Sequence, residues 1–233
     1  MALPQSSPVP RRSVRGAAPA YRDTRAALLR AGVAALTEKG FSASGIDEIL
    51  RTEGVPKGSF YHYFASKEAF GTELIREYAG YFAHKLEQHF GNDLLSPLNR
   101  LRAFIADAES GMARHDFRRG CLIGNLGQEM GALPEAYRAQ LAAVFADWQA
   151  RTARCLAAAR AAGELPAALD VERAAVFFWI GWEGAVLRAK LERGPEPLRL
   201  FARAYLDALQ APPPAAAPPT AAPLRSAVPR RKV

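Results

Sequence analysis

The chain has 233 residues, 49% of them apolar and 23% charged, with two cysteines, Cys121 and Cys155. That is enough apolar material for a substantial core in one or two domains, and two distant cysteines without CxxC or His–Cys spacing exclude a disulfide framework and a zinc site and suit a reducing cytoplasm. The net charge of +8 does not by itself argue for nucleic acid, because the whole excess sits in residues 1–22 and 211–233, leaving 23 basic and 23 acidic side chains between them.

Residues 1–22 carry Arg11, Arg12, Arg15 and Arg22 and no acid. No apolar run follows Arg11-Arg12, so a secretory signal is not expected, and the segment reads as a disordered basic arm suited to phosphates or a minor groove. Asp23 is expected to cap a first helix that runs to Lys39, with Gly40 as its stop.

Residues 40–70, GFSASGIDEILRTEGVPKGSFYHYFASKEAF, hold two short helices around a tight turn. Ser44, with Asp47 three residues on, has the spacing of a reciprocal helix cap. Ile46, Ile49 and Leu50 then face inward, Glu53-Gly54-Val55 breaks the helix, and Pro56 stands where a new helix tolerates a missing N–H. The second helix carries Lys57, Gly58, Ser59, Tyr61, His62 and Tyr63, a small, basic and hydroxyl-rich set suited to base edges and phosphates in a major groove. Phe60 and Phe64 have the spacing of a core pair. Residues 23–70 are therefore expected to form a helix-turn-helix DNA-binding head, with double-stranded DNA as partner and Ser44, Lys57, Gly58, Ser59, Tyr61, His62 and Tyr63 as candidate contacts.

Beyond Lys67 the apolar positions Phe70, Leu74, Tyr78, Phe82, Leu86 and Phe90 recur every four residues, which predicts one long amphipathic helix leading from the head into a helical body, residues 71–210. Further helices are expected around Leu98–Met112 and Leu141–Ala159, over roughly Asp170–Arg193, and from Leu198 to Gln210. The helix from Asp170 is apolar on two faces, Phe178, Trp182, Ala185 and Ala189 on one, Phe177, Gly181, Gly184 and Leu187 on the other, and so needs two partners. A second subunit is the natural partner for the latter face, together with Phe201 and Tyr205 of the last helix. The longest apolar run, Ala174–Trp182, is less than half of the ~20 residues a membrane span requires. Residues 211–233 read as a disordered Pro/Ala-rich basic tail.

Residues 118–137, RRGCLIGNLGQEMGALPEAY, mix polar side chains and glycines with apolar ones in the middle of the body. Buried polar groups need partners, so Asn125, Gln128 and Glu129 are candidates to line a ligand pocket with Phe104, Cys121, Trp148, Trp182 and Glu183; the alternative is a capped, glycine-broken helix with its polar residues exposed. Cys121 is either an electrophile or redox sensor or a small buried hydrophobe. His84, His89 and His115 lack metal-ligand spacing, and the chain has no phosphate-binding Gly loop and no nucleophile elbow. Neither a metal, a cofactor nor an enzymatic activity is expected.

Gly40-Phe41, Ile46, Ile49, Gly54-Val55, Gly58-Ser59, Tyr61, Phe64 and Lys67-Glu68 are in register with the DNA-binding head of the TetR family of bacterial repressors, which the chain resembles. Gly45 and Pro56 stand where that family usually has hydroxyl residues. The resemblance implies an all-α fold, a homodimer built on the last two long helices, a phosphate contact from Lys67 (otherwise a solvated charge), a palindromic operator and release from it by a small-molecule inducer. GVPKGSFYHYFASKEAFG, residues 118–137 and WEGA at 182–185 are similar to a subgroup that includes acrylate-responsive repressors, which implies a small carboxylic acid or its thioester as inducer. An architectural DNA-binding protein without a ligand, and an enzyme that borrowed the head, are the rival readings.

Overall fold

A computed structural model describes residues 18–211, with side chains from Thr24 onward. Among these residues there are nine α-helices and no strand: α1 Ala18–Lys39, α2 Ile46–Thr52, α3 Lys57–Tyr63, α4 Lys67–Phe90, α5 Pro97–Ala113, α6 Leu122–Gln128, α7 Glu135–Ala161, α8 Val171–Glu192 and α9 Glu196–Gln210. Helix α1 starts at Ala18, so Asp23 lies inside it instead of capping it, and residues 18–22 of the expected arm are helical. The remainder of the expected arm and the tail beyond Ala211 lie outside the described residues.

In the head, α1 stops where Gly40 takes φ +82°, a left-handed conformation that costs glycine little. The expected Ser44–Asp47 cap does not form: Gly45 precedes α2 with no side-chain cap. Ser44 is instead only 1% exposed, and its hydroxyl donates to the Gly40 carbonyl at 2.6 Å. The turn after Gly40 folds the chain back and buries Ser44, and a buried hydroxyl must find a partner inside. At the other end of α2, Gly54 takes φ +63°, its N–H reaching Arg51 O and that of Val55 reaching Leu50 O at 2.9 Å. These two bonds satisfy helix-end carbonyls and aim the chain into α3. Phe60, Phe64 and Phe70 close the head's core, Phe60 5.3 Å from each of the other two rings and Phe64 4.6 Å from Phe70.

Helix α4 has 24 residues, about 36 Å at 1.5 Å per residue, and buries Phe70 in the head and Leu86 in the body. Around its second half α5, α7 and α8 enclose an aromatic core. Phe82 and Trp148 lie 4.4 Å apart, Trp148 and Trp179 4.8 Å, with Phe104 6.0 Å from both Phe82 and Trp179. The Trp179 Nε1–H donates to the Thr152 hydroxyl at 3.0 Å, and that hydroxyl donates to Trp148 O. Phe104 and Trp148, expected at a ligand pocket, are wholly buried among these rings and fill the interior. Neither Phe104 nor Trp148 is among the residues that line the cleft between α1 and the body.

Asp170 caps α8 as its sequence implies, accepting the Arg173 N–H at 2.9 Å. Phe178, Trp182, Ala185 and Ala189 are its buried face. The opposite face divides. Phe201 of α9 sits so close to Gly181 that any β-carbon there would collide with the ring, and Tyr205 is buried with its hydroxyl donating to Ala174 O at 2.8 Å. Gly181, Phe201 and Tyr205, expected at a subunit interface, thus join α8 to α9 within one chain, because α9 turns its strongly apolar side onto α8. Phe177, Gly184 and Leu187 do face outward, with Ile180 and Leu191 beside them at 67% and 74% exposure.

Candidate DNA-binding face and effector cleft

Helix α3 presents its polar side to solvent. Lys57, Gly58 and His62 are exposed, Tyr61 is 57% exposed, and Ser59 and Tyr63 are half-buried. No atom lies near the position a β-carbon would take on Gly58, so the backbone there is open to close approach. Phe60 packs inward and meets the Tyr61 ring edge-on at 5.3 Å, which orients the exposed phenol without burying it. Lys57 donates to Asp47 of α2 at 3.0 Å in an exposed pair, a weak contact in water that a phosphate can replace. Two of the expected contacts are placed otherwise. Ser44 is buried in the α1–α2 turn, and Lys67 donates to Phe41 O at 2.9 Å with its ammonium 4.6 Å from the centre of the Phe41 ring.

The polar residues of 118–137 do not converge on one cavity. Asn125 Nδ2 donates to Leu36 O and Thr37 O at the end of α1, at 2.8 and 3.0 Å. Glu129 accepts the Phe41 and Ser42 amides at 2.9 and 2.8 Å. Gln128 is exposed. The reason is α6, which packs on α1 and α7; its polar side meets unpaired backbone groups at the α1 end, and these take Asn125 and Glu129 as partners.

Cys121, Trp182 and Glu183 do come together, in a cleft of about 260 Å³ between α1 of the head and α4, α5 and α8 of the body. Val33 and Ala34 of α1, Phe82, Met112, Trp182 and Val186 form apolar walls, and Arg30, Lys85, Arg114 and Arg119 supply positive charge. Tyr78, Cys121 and Glu183 are its polar cluster. Burial pushes the Tyr78 phenol and the Cys121 thiol well above their usual ranges, the Glu183 carboxylate adding to both. Burial also raises the Glu183 carboxyl to about 7, although the Cys121 hydrogen bond opposes this. Cys121 Sγ accepts the Gly124 N–H at 3.4 Å and so caps α6. A thiol held protonated is a poor nucleophile. Sequence reasoning missed Tyr78, assigned there to the core stripe of α4, and α1, which it kept within the head.

A larger groove, about 600 Å³, is lined by Pro166, Leu169, Phe177 and Tyr205. It lies at the start of α8, whereas Lys190 near the end of α8 touches the head; 17 residues of helix separate Arg173 from Lys190, about 26 Å at 1.5 Å each. Among the described residues no three side chains are grouped to hold a metal, and no helix is long and apolar enough to cross a membrane.

An exposed recognition helix on a three-helix head, joined by one long helix to an α-helical body, defines a helix-turn-helix transcriptional regulator. Residues 28–74 match the family model for bacterial regulatory proteins of the tetR family, and residues 97–205 that for the tetracyclin repressor-like C-terminal domain. The chain is 56% identical to the transcriptional regulator AcuR of Cereibacter sphaeroides over 196 residues, 84% of this chain and 90% of the relative. It is 31% identical to the transcriptional repressor DhaR of Mycobacterium sp. strain GP1 over 182 residues, 78% and 90% of the two chains. The crystal structure of a regulatory protein TetR from Rhodobacter sphaeroides, 57% identical, superposes with a TM-score of 0.77 over 78% of this chain and 97% of that one. The chain belongs to the TetR family of bacterial transcriptional regulators, DNA-binding repressors built on this fold.

Proposed function

We propose that the protein is a homodimeric repressor that binds a palindromic operator through Lys57, Ser59, Tyr61 and His62, and leaves it when a small molecule enters the cleft at Tyr78, Cys121 and Glu183. The observation that carries this reading is the position of the cleft, walled on one side by α1 of the head and on the other by the body. A guest there changes the distance between the two parts, and with it the separation of paired recognition helices, which an operator requires at about one helical turn or ~34–36 Å. The outward apolar side chains Phe177, Ile180, Leu187, Leu191 and Leu200 on α8 and α9 support pairing through these helices. An amphipathic carboxylic acid or thioester suits apolar walls with basic side chains around them.

The cleft speaks against a ligand-free architectural role, and the protonated Cys121 thiol against an electrophile or redox sensor. The test starts from duplexes selected by the full-length protein out of a random pool. Short carboxylic acids and their thioesters are then titrated into the complex, followed by fluorescence anisotropy of the DNA and by tryptophan emission. Recovery of a two-fold symmetric site, release by at least one compound, and loss of that release in Trp182→Ala are expected. Asymmetric sites, or release unchanged in Trp182→Ala, would overturn the dimer or the cleft assignment respectively.

A further inference from the structure

The cleft has a neighbour. Tyr81 and Lys85 of α4 and Arg114 at the end of α5 line it and also line a second pocket of about 330 Å³, which His84, Gln88, His89 and Asp107 complete. Tyr78 in the cleft and His89 in the second pocket are eleven residues apart on α4, about 16 Å at 1.5 Å each. The chemistry changes over that length. The cleft has apolar walls, whereas every side chain lining the second pocket carries a polar group.

Positive charge collects around both cavities without matching acid. Among the described residues, the only carboxylates in ion-pair contact with the lining cations are Glu38, 3.9 Å from Arg119, and Asp107, which holds Lys85 at 2.7 Å and His89 at 3.1 Å; Arg30, Arg114, His84 and His115 have none. The placement of Arg114 is built by a strained turn. Asp116 and Phe117 take φ +50° and +53°, a left-handed conformation that a bulky side chain avoids unless its surroundings impose it. The Asp116 N–H donates to Ala113 O and the Phe117 N–H to Met112 O, both at 3.0 Å, while the Phe117 side chain packs against the core. The chain reverses there, so that Arg114 and His115 before the turn and Arg119 after it line one cleft. Asp116 itself lines a different pocket with Arg118 and Arg193 and leaves these charges uncompensated.

We infer that the second pocket is an anion subsite adjoining the effector cleft, in which Arg114, with His84 and Lys85, holds a phosphate of an acyl thioester of the coenzyme A type while the acyl group occupies the cleft. This rests on the cleft being the effector site and narrows its ligand from a free acid to a phosphate-bearing thioester. A free acid of three or four carbons, roughly 5 Å long with bonds of about 1.5 Å, fits within the cleft and leaves the second pocket unused. A thioester continues past Tyr81 as a polar arm and ends in phosphate. The guanidinium of Arg114 has no carboxylate to give up when it takes that phosphate, and a planar fork of N–H donors matches phosphate oxygens.

The test compares one acyl group on three carriers. Propanoate, its N-acetylcysteamine thioester, which has no phosphate, and its coenzyme A thioester are titrated calorimetrically into the full-length protein, and the butanoyl series is run in parallel. The coenzyme A thioester is expected to bind about tenfold tighter than the cysteamine thioester, the factor that one charge-assisted hydrogen bond supplies. Arg114→Gln should remove that advantage and leave the cysteamine thioester within about twofold of wild type, whereas Arg102→Gln, an exposed α5 position outside both cavities, should change neither. Arg114 is exposed and without an ion-pair partner, so its variant should keep the wild-type thermal midpoint. Equal binding of the two thioesters, tighter binding of the free acids, a loss in Arg114→Gln shared by both thioesters, or no binding of any thioester would overturn the subsite. Loss of cysteamine-thioester binding in Trp182→Ala retains the cleft whatever Arg114→Gln does, so the cleft and the subsite fail separately.

Discussion

Glu129 accepts the backbone amide of Phe41, 88 residues earlier in the chain, at 2.9 Å. A carboxylate of the body thereby holds the turn between the first two helices of the head. Charge-assisted bonds of this kind are roughly twice as strong as neutral ones, and the second bond, to Ser42, makes the grip two-pronged. The orientation of α3 is thus tied to the body by named hydrogen bonds as well as by the shared helix α4.

Replacement of Tyr61 or Lys57 by alanine is expected to weaken operator binding by about 1–3 kcal/mol, the range for a base or charge-assisted contact. Both side chains are exposed and the Lys57–Asp47 pair is a surface pair, so the thermal midpoint should stay near wild type. Electrophoretic mobility shift and thermal denaturation measure the two effects, and unaltered shifts in both variants would remove α3 from the DNA interface.

Ile180→Arg combined with Leu191→Arg places two charges on the outward face of α8. These side chains are largely exposed in the single chain, so the fold should survive while the dimer gives way to monomer, because burying unpaired charge costs several kcal/mol. Sedimentation velocity reports the mass. A dimer that persists would place the interface elsewhere.

Thr152→Val keeps the shape of the core but leaves the Trp179 Nε1–H without its acceptor. An unsatisfied buried donor costs about 1–3 kcal/mol, and the urea midpoint should drop accordingly with little change in slope. A neutral result would mean that the indole finds another acceptor.

Glu183 gives stability a pH dependence whose sign follows from its raised pKa. Below about 4.5 the carboxyl is protonated in both folded and unfolded chains; as pH rises toward about 7 the unfolded chain ionises first and stability falls, by up to about 1.4 kcal/mol per unit of difference. Above about 7 this contribution levels off. In Glu183→Gln the decline through that window should be shallower than in wild type when urea midpoints are compared at about pH 5 and about pH 8. Parallel declines would show that the carboxyl does not titrate in the cleft.

Local chemistry alone determined most of the helices and the turn between α2 and α3. The four-residue recurrence from Phe70 to Phe90, the Asp170 cap and the Gly54 turn all act within a few residues of themselves, and each element appears where it was expected. The capping residue of α2 was not decided there, because burial of Ser44 depended on how the chain folds back after Gly40. The sites divide on the same principle. Tyr61 is outward because its own helix places Phe60 and Phe64 inward, but the polar stripe Cys121, Asn125, Glu129 shows only that three side chains share a side of a helix. Which groups Asn125 and Glu129 meet depended on α1, more than 80 residues away in sequence, whose end supplies carbonyls to Asn125 and whose following turn supplies amides to Glu129. Likewise Gly181 reads as a gap for a second subunit until α9 brings Phe201 into it. Period and caps are properties of neighbouring residues, whereas the partner of a buried polar group or the occupant of a glycine gap is set by elements that meet only in the folded chain.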